Sequence, residues 1–121
     1  MIELVSELRL DEYQYLAMTT AKGLATGHLS AVYNSLALCG EAGEVAEVVK
    51  KRWRNHGVSS GKQYAEGDRL RLAHELGDAL WYLSALANDI GYTLSRIAAL
   101  NLEKLADRER RGVVCGEGDN R

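Results

Sequence analysis

Leu72, Leu76, Leu80, Leu83, Ala87 and Ile90 fall three or four residues apart, a spacing that makes one continuous face only on an α-helix. This is the strongest period in the chain, and it predicts a helix capped by Asp68 and running to about Ile90. Proline and phenylalanine are both absent from the 121 residues, so nothing interrupts long helices and the composition does not favour a turn-rich sheet.

Three further helices follow from weaker signals. DEYQYLAMTTAK reads as a short first helix, with Asp11 as N-cap and Gly23 beyond its end. The segment from about Leu29 to Arg54 carries Leu38, Ala42, Val45 and Val49 at helical spacing, until NHG at 55–57 stops it. Residues 55–68, with three glycines and two serines, read as a polar loop. After GYT at 91–93, Thr93 caps a last helix on which Leu94, Ala98, Asn101, Leu105 and Arg108 share one face up to Gly112. The expectation is an all-α bundle of four to five helices forming a single domain over 1–121, with residues 112–121 an irregular tail.

Fifteen basic and seventeen acidic residues give a formal net charge of −2, which lacks the basic footprint that nucleic acid demands. Cys39 and Cys115 sit in no metal-binding or disulfide pattern and read as unpaired thiols of a reducing compartment. No apolar run is long enough for a membrane span, and MIELVSELRLDEYQ carries acids where a signal peptide needs a basic start. A cytoplasmic protein with no membrane partner is expected.

The chemistry lies in two acidic pairs. GEAGE places Glu41 and Glu44 three residues apart on the second helix, and ELGD does the same for Glu75 and Asp78 on the third. At about 100° per residue, Glu41 lies about 40° from Val45 and Glu75 about 40° from Ala79, so each pair starts at the edge of an apolar stripe. If the two helices pack antiparallel through those stripes, four carboxylates converge at one rim, and their repulsion calls for a cation. Oxygen ligands without His or Cys suit Mg²⁺, with Mn²⁺ as a substitute, and such ions complete their shells with water and phosphate oxygens. A di-iron bundle is excluded, since positions 44 and 78 are Glu and Asp where its signature needs histidine. His28, His56 and His74 read as surface residues.

Lys51 falls within about 20° of Glu44 and could reach a metal-bridged phosphate. Asn101, Lys104 and Arg108 lie at i, i+3 and i+7 on the last helix, where phosphate oxygens or a buried hydrogen-bond network would satisfy them. Trp53, Trp81 and Tyr82 read as packing residues, and Tyr13, Gln14 and the 55–68 loop as candidates for shaping a base pocket. Gly43 and Gly77 fall away from the core stripe, as a close helix contact between subunits would require.

Taken together, LCGEAGEVAEVVKK at 38–51, ELGDALWYLSALANDIG at 75–91 and NLEKLADRERRGVVCGEGDNR at 101–121 resemble, in order, the MazG-type all-α nucleotide pyrophosphohydrolases, in the short single-domain form of bacteria and phages. The resemblance implies Mg²⁺-dependent hydrolysis of a (deoxy)nucleoside triphosphate at the α-phosphate, releasing pyrophosphate, while the thin core that 121 residues allow points to a homodimer or homotetramer. The resemblance also implies Glu41, Glu44, Glu75 and Asp78 as catalytic metal ligands and Lys51, Asn101, Lys104 and Arg108 as phosphate contacts. Two departures stand out: Gly40 replaces an acid that often precedes Glu41, and the gap between Glu44 and Glu75 is longer than is common. The competing readings are a nucleoside diphosphatase or phosphoribosyl-ATP-type hydrolase on the same fold, and a non-catalytic helical oligomerisation module.

Overall fold

The computed structural model describes residues 7–57 and 64–116. Among them are four α-helices, a short 3-10 turn at Gly23–Ala25 and no strand: α1 is Leu10–Met18, α2 Ser30–His56, α3 Glu66–Asp89 and α4 Leu94–Arg110. The all-α expectation holds.

Helix ends differ from the sequence reading for identifiable reasons. Arg9, not Asp11, is the N-cap of α1, because its amide donates to the Glu12 carboxylate at 3.1 Å. The helix stops at Met18, where the Thr19 and Thr20 hydroxyls donate to the carbonyls of Leu16 and Ala17. On α2 the helix runs through Asn55 and His56 and ends at Gly57, whose φ of 76° suits glycine. α3 starts at Glu66, two residues before the expected cap, so Asp68 sits in the first turn beside the positive end of the helix dipole. The expected 55–68 loop is therefore helical at residues 55–56 and 66–68, and residues 58–63 lie outside the described residues. Thr93 caps α4 as expected, its hydroxyl accepting the Arg96 amide at 3.1 Å. Residues 112–116, the described part of the tail, carry no helix or strand.

α2 and α3 form the main pair of the molecule. They run antiparallel, since Ser30 and Asn34 near the start of α2 bond Asp89 at the end of α3, and Glu41 meets Asp78 farther along. α1 packs on α3, and α4 on α1 and α3. Arg52 stacks over the Tyr64 ring at 4.4 Å, tying the end of α2 to the residues that lead into α3.

The core is small. Ala17, Val48, Ala85, Ala87 and Leu94 are its buried hydrophobic residues, joined by the buried polar Gln14, Ser30, Asn34, Ser84 and Arg108. The α3 stripe is thus only partly a core stripe: Leu76, Leu83 and Ile90 remain 52%, 45% and 64% exposed. Apolar residues cover more of α3 than α1, α2 and α4 bury between them.

Candidate metal and nucleotide site

Glu41 leaves α2 and Glu75 and Asp78 leave α3 toward the same seam, and one oxygen of each carboxylate lies within 4.8 Å of the others. Helical phase accounts for this: Glu75 and Asp78, one turn apart on α3, face the Glu41 level of an antiparallel α2. At such separations each carboxylate pair repels by on the order of 3 kcal/mol at an effective dielectric of about 20, before solvent screening.

The electrostatics record the crowding. Partial burial, then the charges of Asp78, Glu75 and Glu44, push the Glu41 carboxyl above its ordinary value. A cation among these oxygens would reverse that unfavourable arrangement. The donor set is all hard oxygen, which fits Mg²⁺ or Mn²⁺ and not a thiolate- or imidazole-binding ion.

Glu44 stands apart from the trio. It is exposed on the outer flank of α2, about 60° round from Glu41, yet close enough for its charge to act on Glu41. The sequence placed four acids at one rim; the structure gathers three and leaves the fourth at the edge.

The other predicted residues are more dispersed. Lys51 is ion-paired at 3.1 Å with Glu47 on its own helix, which also holds Lys50. Asn101 and Lys104 are exposed on α4, while Arg108 is buried near its end. Gln14 lines a cavity of about 370 Å³ together with Asp11, Asn88 and Thr93. It is buried, and its amide bonds the backbone between α3 and α4, donating to the Tyr92 carbonyl at 3.0 Å and accepting the Leu94 amide at 2.8 Å.

Two of the aromatic residues read as packing residues also line the site. Glu41, Asp78, Trp81 and Tyr82 line one cavity of about 380 Å³. The Trp81 indole donates to the Thr20 hydroxyl at 2.9 Å and meets the Tyr82 ring edge-on at 5.0 Å between centroids. Burial, with smaller contributions from Tyr33, Glu41 and Asp78, raises the Tyr82 phenol above its usual value, and burial and Asp78 do the same for Tyr13. The signal was available in the sequence, since Trp81 and Tyr82 follow Asp78 by three and four residues on a helix. Trp53, by contrast, is 60% exposed on α2.

Residues 31–113 match the family model of the MazG nucleotide pyrophosphohydrolase domain. The chain belongs to this family. It is also similar to the Gene 37 protein of Mycobacterium phage L5, with 40% identity over 119 residues, covering 94% of this chain and all of that protein. No solved structure matches. The MazG match spans α2, α3 and α4 and so includes every carboxylate of the cluster. Among the described residues no helix is long and apolar enough to cross a membrane.

Proposed function

We propose that this MazG-family chain hydrolyses a (deoxy)nucleoside triphosphate at the α-phosphate, releasing the monophosphate and pyrophosphate with the help of Mg²⁺, for which Mn²⁺ can substitute. The observation that carries the reading is the convergence of Glu41, Glu75 and Asp78 within 4.8 Å on two packed helices, inside the matched domain. An ion held by these carboxylates would supply Lewis-acid polarisation of the phosphate and a water of lowered pKa.

The chain's own work is to hold and orient. Glu41, Glu75 and Asp78 would hold the ion from two helices, with Glu44 as a fourth carboxylate at the rim. Lys51, Asn101, Lys104 and Arg108 serve as phosphate contacts, Lys51 by exchanging Glu47 for a phosphate oxygen. Trp81 and Tyr82 form the cavity wall beside the reacting phosphate.

The protein acts as a homo-oligomer, a homodimer or homotetramer. Leu76, Leu83 and Ile90 are exposed at intervals of seven, as a seam for another helix would be. On α2, Val32 and Leu36 are 59% and 69% exposed, and a side chain added at Gly43 or Gly77 would meet nothing within 4 Å. A second copy laid along α2 and α3 covers these surfaces. The site draws on a cytoplasmic nucleotide pool and uses no nucleic acid or membrane.

Product analysis decides the chemistry. With Mg²⁺ and a panel of nucleotides, pyrophosphate is the expected product; orthophosphate would indicate a diphosphatase, and no turnover would leave an oligomerisation module. Glu44→Gln is expected to abolish turnover while the helical circular dichroism stays unchanged.

A further inference from the structure

A second cavity, of about 390 Å³, lies at the other end of the α2–α3 seam, between the first turn of α2, the end of α3 and the segment leaving α1. Its wall includes the Asp89 carboxylate, held in one orientation by two donors. The Ser30 hydroxyl donates to Oδ1 at 2.6 Å, and the Asn34 amide donates to Oδ2 at 3.0 Å and to the Ala25 carbonyl at 3.3 Å. Asn34 is fully buried, so this brace is fixed.

The cavity is rich in acceptors and short of donors. Ser30 commits its proton to Asp89, and Thr26 commits its own to the Gly23 carbonyl at 3.0 Å, so both present oxygen lone pairs. Each Asp89 oxygen has accepted one bond and retains capacity for another. Only His28 and Asn88 bring side-chain donors to the wall.

Position links this cavity to the acids. Ser30 and Glu41, and likewise Asp89 and Asp78, are eleven residues apart, which returns each pair to within about 20° of one helix face at an axial separation of about 16 Å. Side chains lean toward helix N-termini, so Glu41 on α2 and Asp89 on antiparallel α3 tilt toward each other. Trp81 lines the acid cavity and bonds Thr20, whose neighbour Ala21 lines the second one. A nucleotide with its α-phosphate at the acids and its base lying along the seam would bring that base toward this cavity.

We infer that the Asp89 cavity is the base subsite and that its braced carboxylate selects a guanine, the neutral base whose pairing edge offers two adjacent N–H donors. Guanine N1–H and the 2-amino group bond the two Asp89 oxygens, while His28 or Asn88 donates to O6. A thymine edge, acceptor–donor–acceptor, leaves the carboxylate facing a carbonyl and is rejected. This inference rests on the acids being the phosphate end of the site.

The test is equilibrium binding of dGMP, dIMP and dTMP by calorimetry, with Mg²⁺ present to offset the carboxylate charge, alongside a separate assay of pyrophosphate release. The native protein is expected to bind dGMP at least about tenfold tighter than dIMP, which lacks the 2-amino group, and tighter still than dTMP. Asp89→Asn exchanges one acceptor for a donor and is expected to lower dGMP affinity about tenfold while raising that for dTMP. Ser30→Ala, which loosens the brace but keeps the carboxylate, retains the preference for guanine. Equal binding of dGMP and dIMP by the native protein overturns the inference even if the variants fail to fold. So does a folded Asp89→Asn protein that weakens all three ligands alike, which would make Asp89 a lock between α2 and α3 and nothing more. Selective dGMP binding without pyrophosphate release would uphold the subsite and sink the hydrolysis reading.

Discussion

The Gln14 side chain accepts a hydrogen bond from the Leu94 amide at 2.8 Å, eighty residues away in the chain. With the second bond to the Tyr92 carbonyl, it fixes α1 against the corner where α3 turns into α4. Gly91, at φ 74°, makes that corner, and the Gln14 amide satisfies backbone groups that the turn leaves unpaired. Gln14→Ala strands one donor and one acceptor in a mostly buried place and should cost about 2–3 kcal/mol, read as a lowered urea midpoint at an unchanged slope.

Asp11 belongs to the same corner, because its carboxylate accepts the Ser95 amide at 2.9 Å in the first turn of α4. The Ser95 amide, then the Ser95 hydroxyl, hold the Asp11 carboxyl below the usual aspartate range. A depressed folded pKa contributes stability that is present above the unfolded aspartate value and is lost as pH falls through the folded value. Asp11→Asn is therefore expected to lower the melting temperature at neutral pH, with the gap from the native protein closing in strong acid. A constant gap across the titration would place the effect in packing instead.

The proposed metal dependence is tested at Glu41, whose carboxyl is crowded by Asp78 and Glu75. Chelation should lower the melting temperature, and Mg²⁺ added to about one hundred times its dissociation constant should restore about 2.7 kcal/mol if it binds only the folded chain. Glu41→Gln removes a ligand and one of the mutually repelling charges together. The metal-free variant is expected to be at least as stable as the native protein while losing turnover by about a hundredfold or more.

Oligomerisation is tested through Leu83, which is 45% exposed on the heptad line of α3 and is not placed in the carboxylate site. Leu83→Glu puts a charge into the proposed seam between copies. Sedimentation or light scattering should show the mass fall to that of a monomer, and an unchanged mass would remove this face from the interface.

Much of this protein is local physics. The helices of α2, α3 and α4, the Thr93 cap and the two acidic pairs at i, i+3 were readable because helical phase and capping depend on residues a few positions apart. The MazG match over residues 31–113 agrees with the motifs seen there. Tertiary structure alone decided which carboxylates meet. Glu44 shares the acidic motif with Glu41 but lies about 60° round the helix, and of the two only Glu41 joins Glu75 and Asp78 in the cluster. It likewise turned Asp11 from a cap of its own helix into a partner of Ser95, and it gave Gln14 a bond to the Leu94 amide. A sequence shows which residues share a face; which face is covered depends on neighbours brought from far along the chain, and so Leu76, Leu83 and Ile90 stand exposed on a stripe that their spacing marks as core.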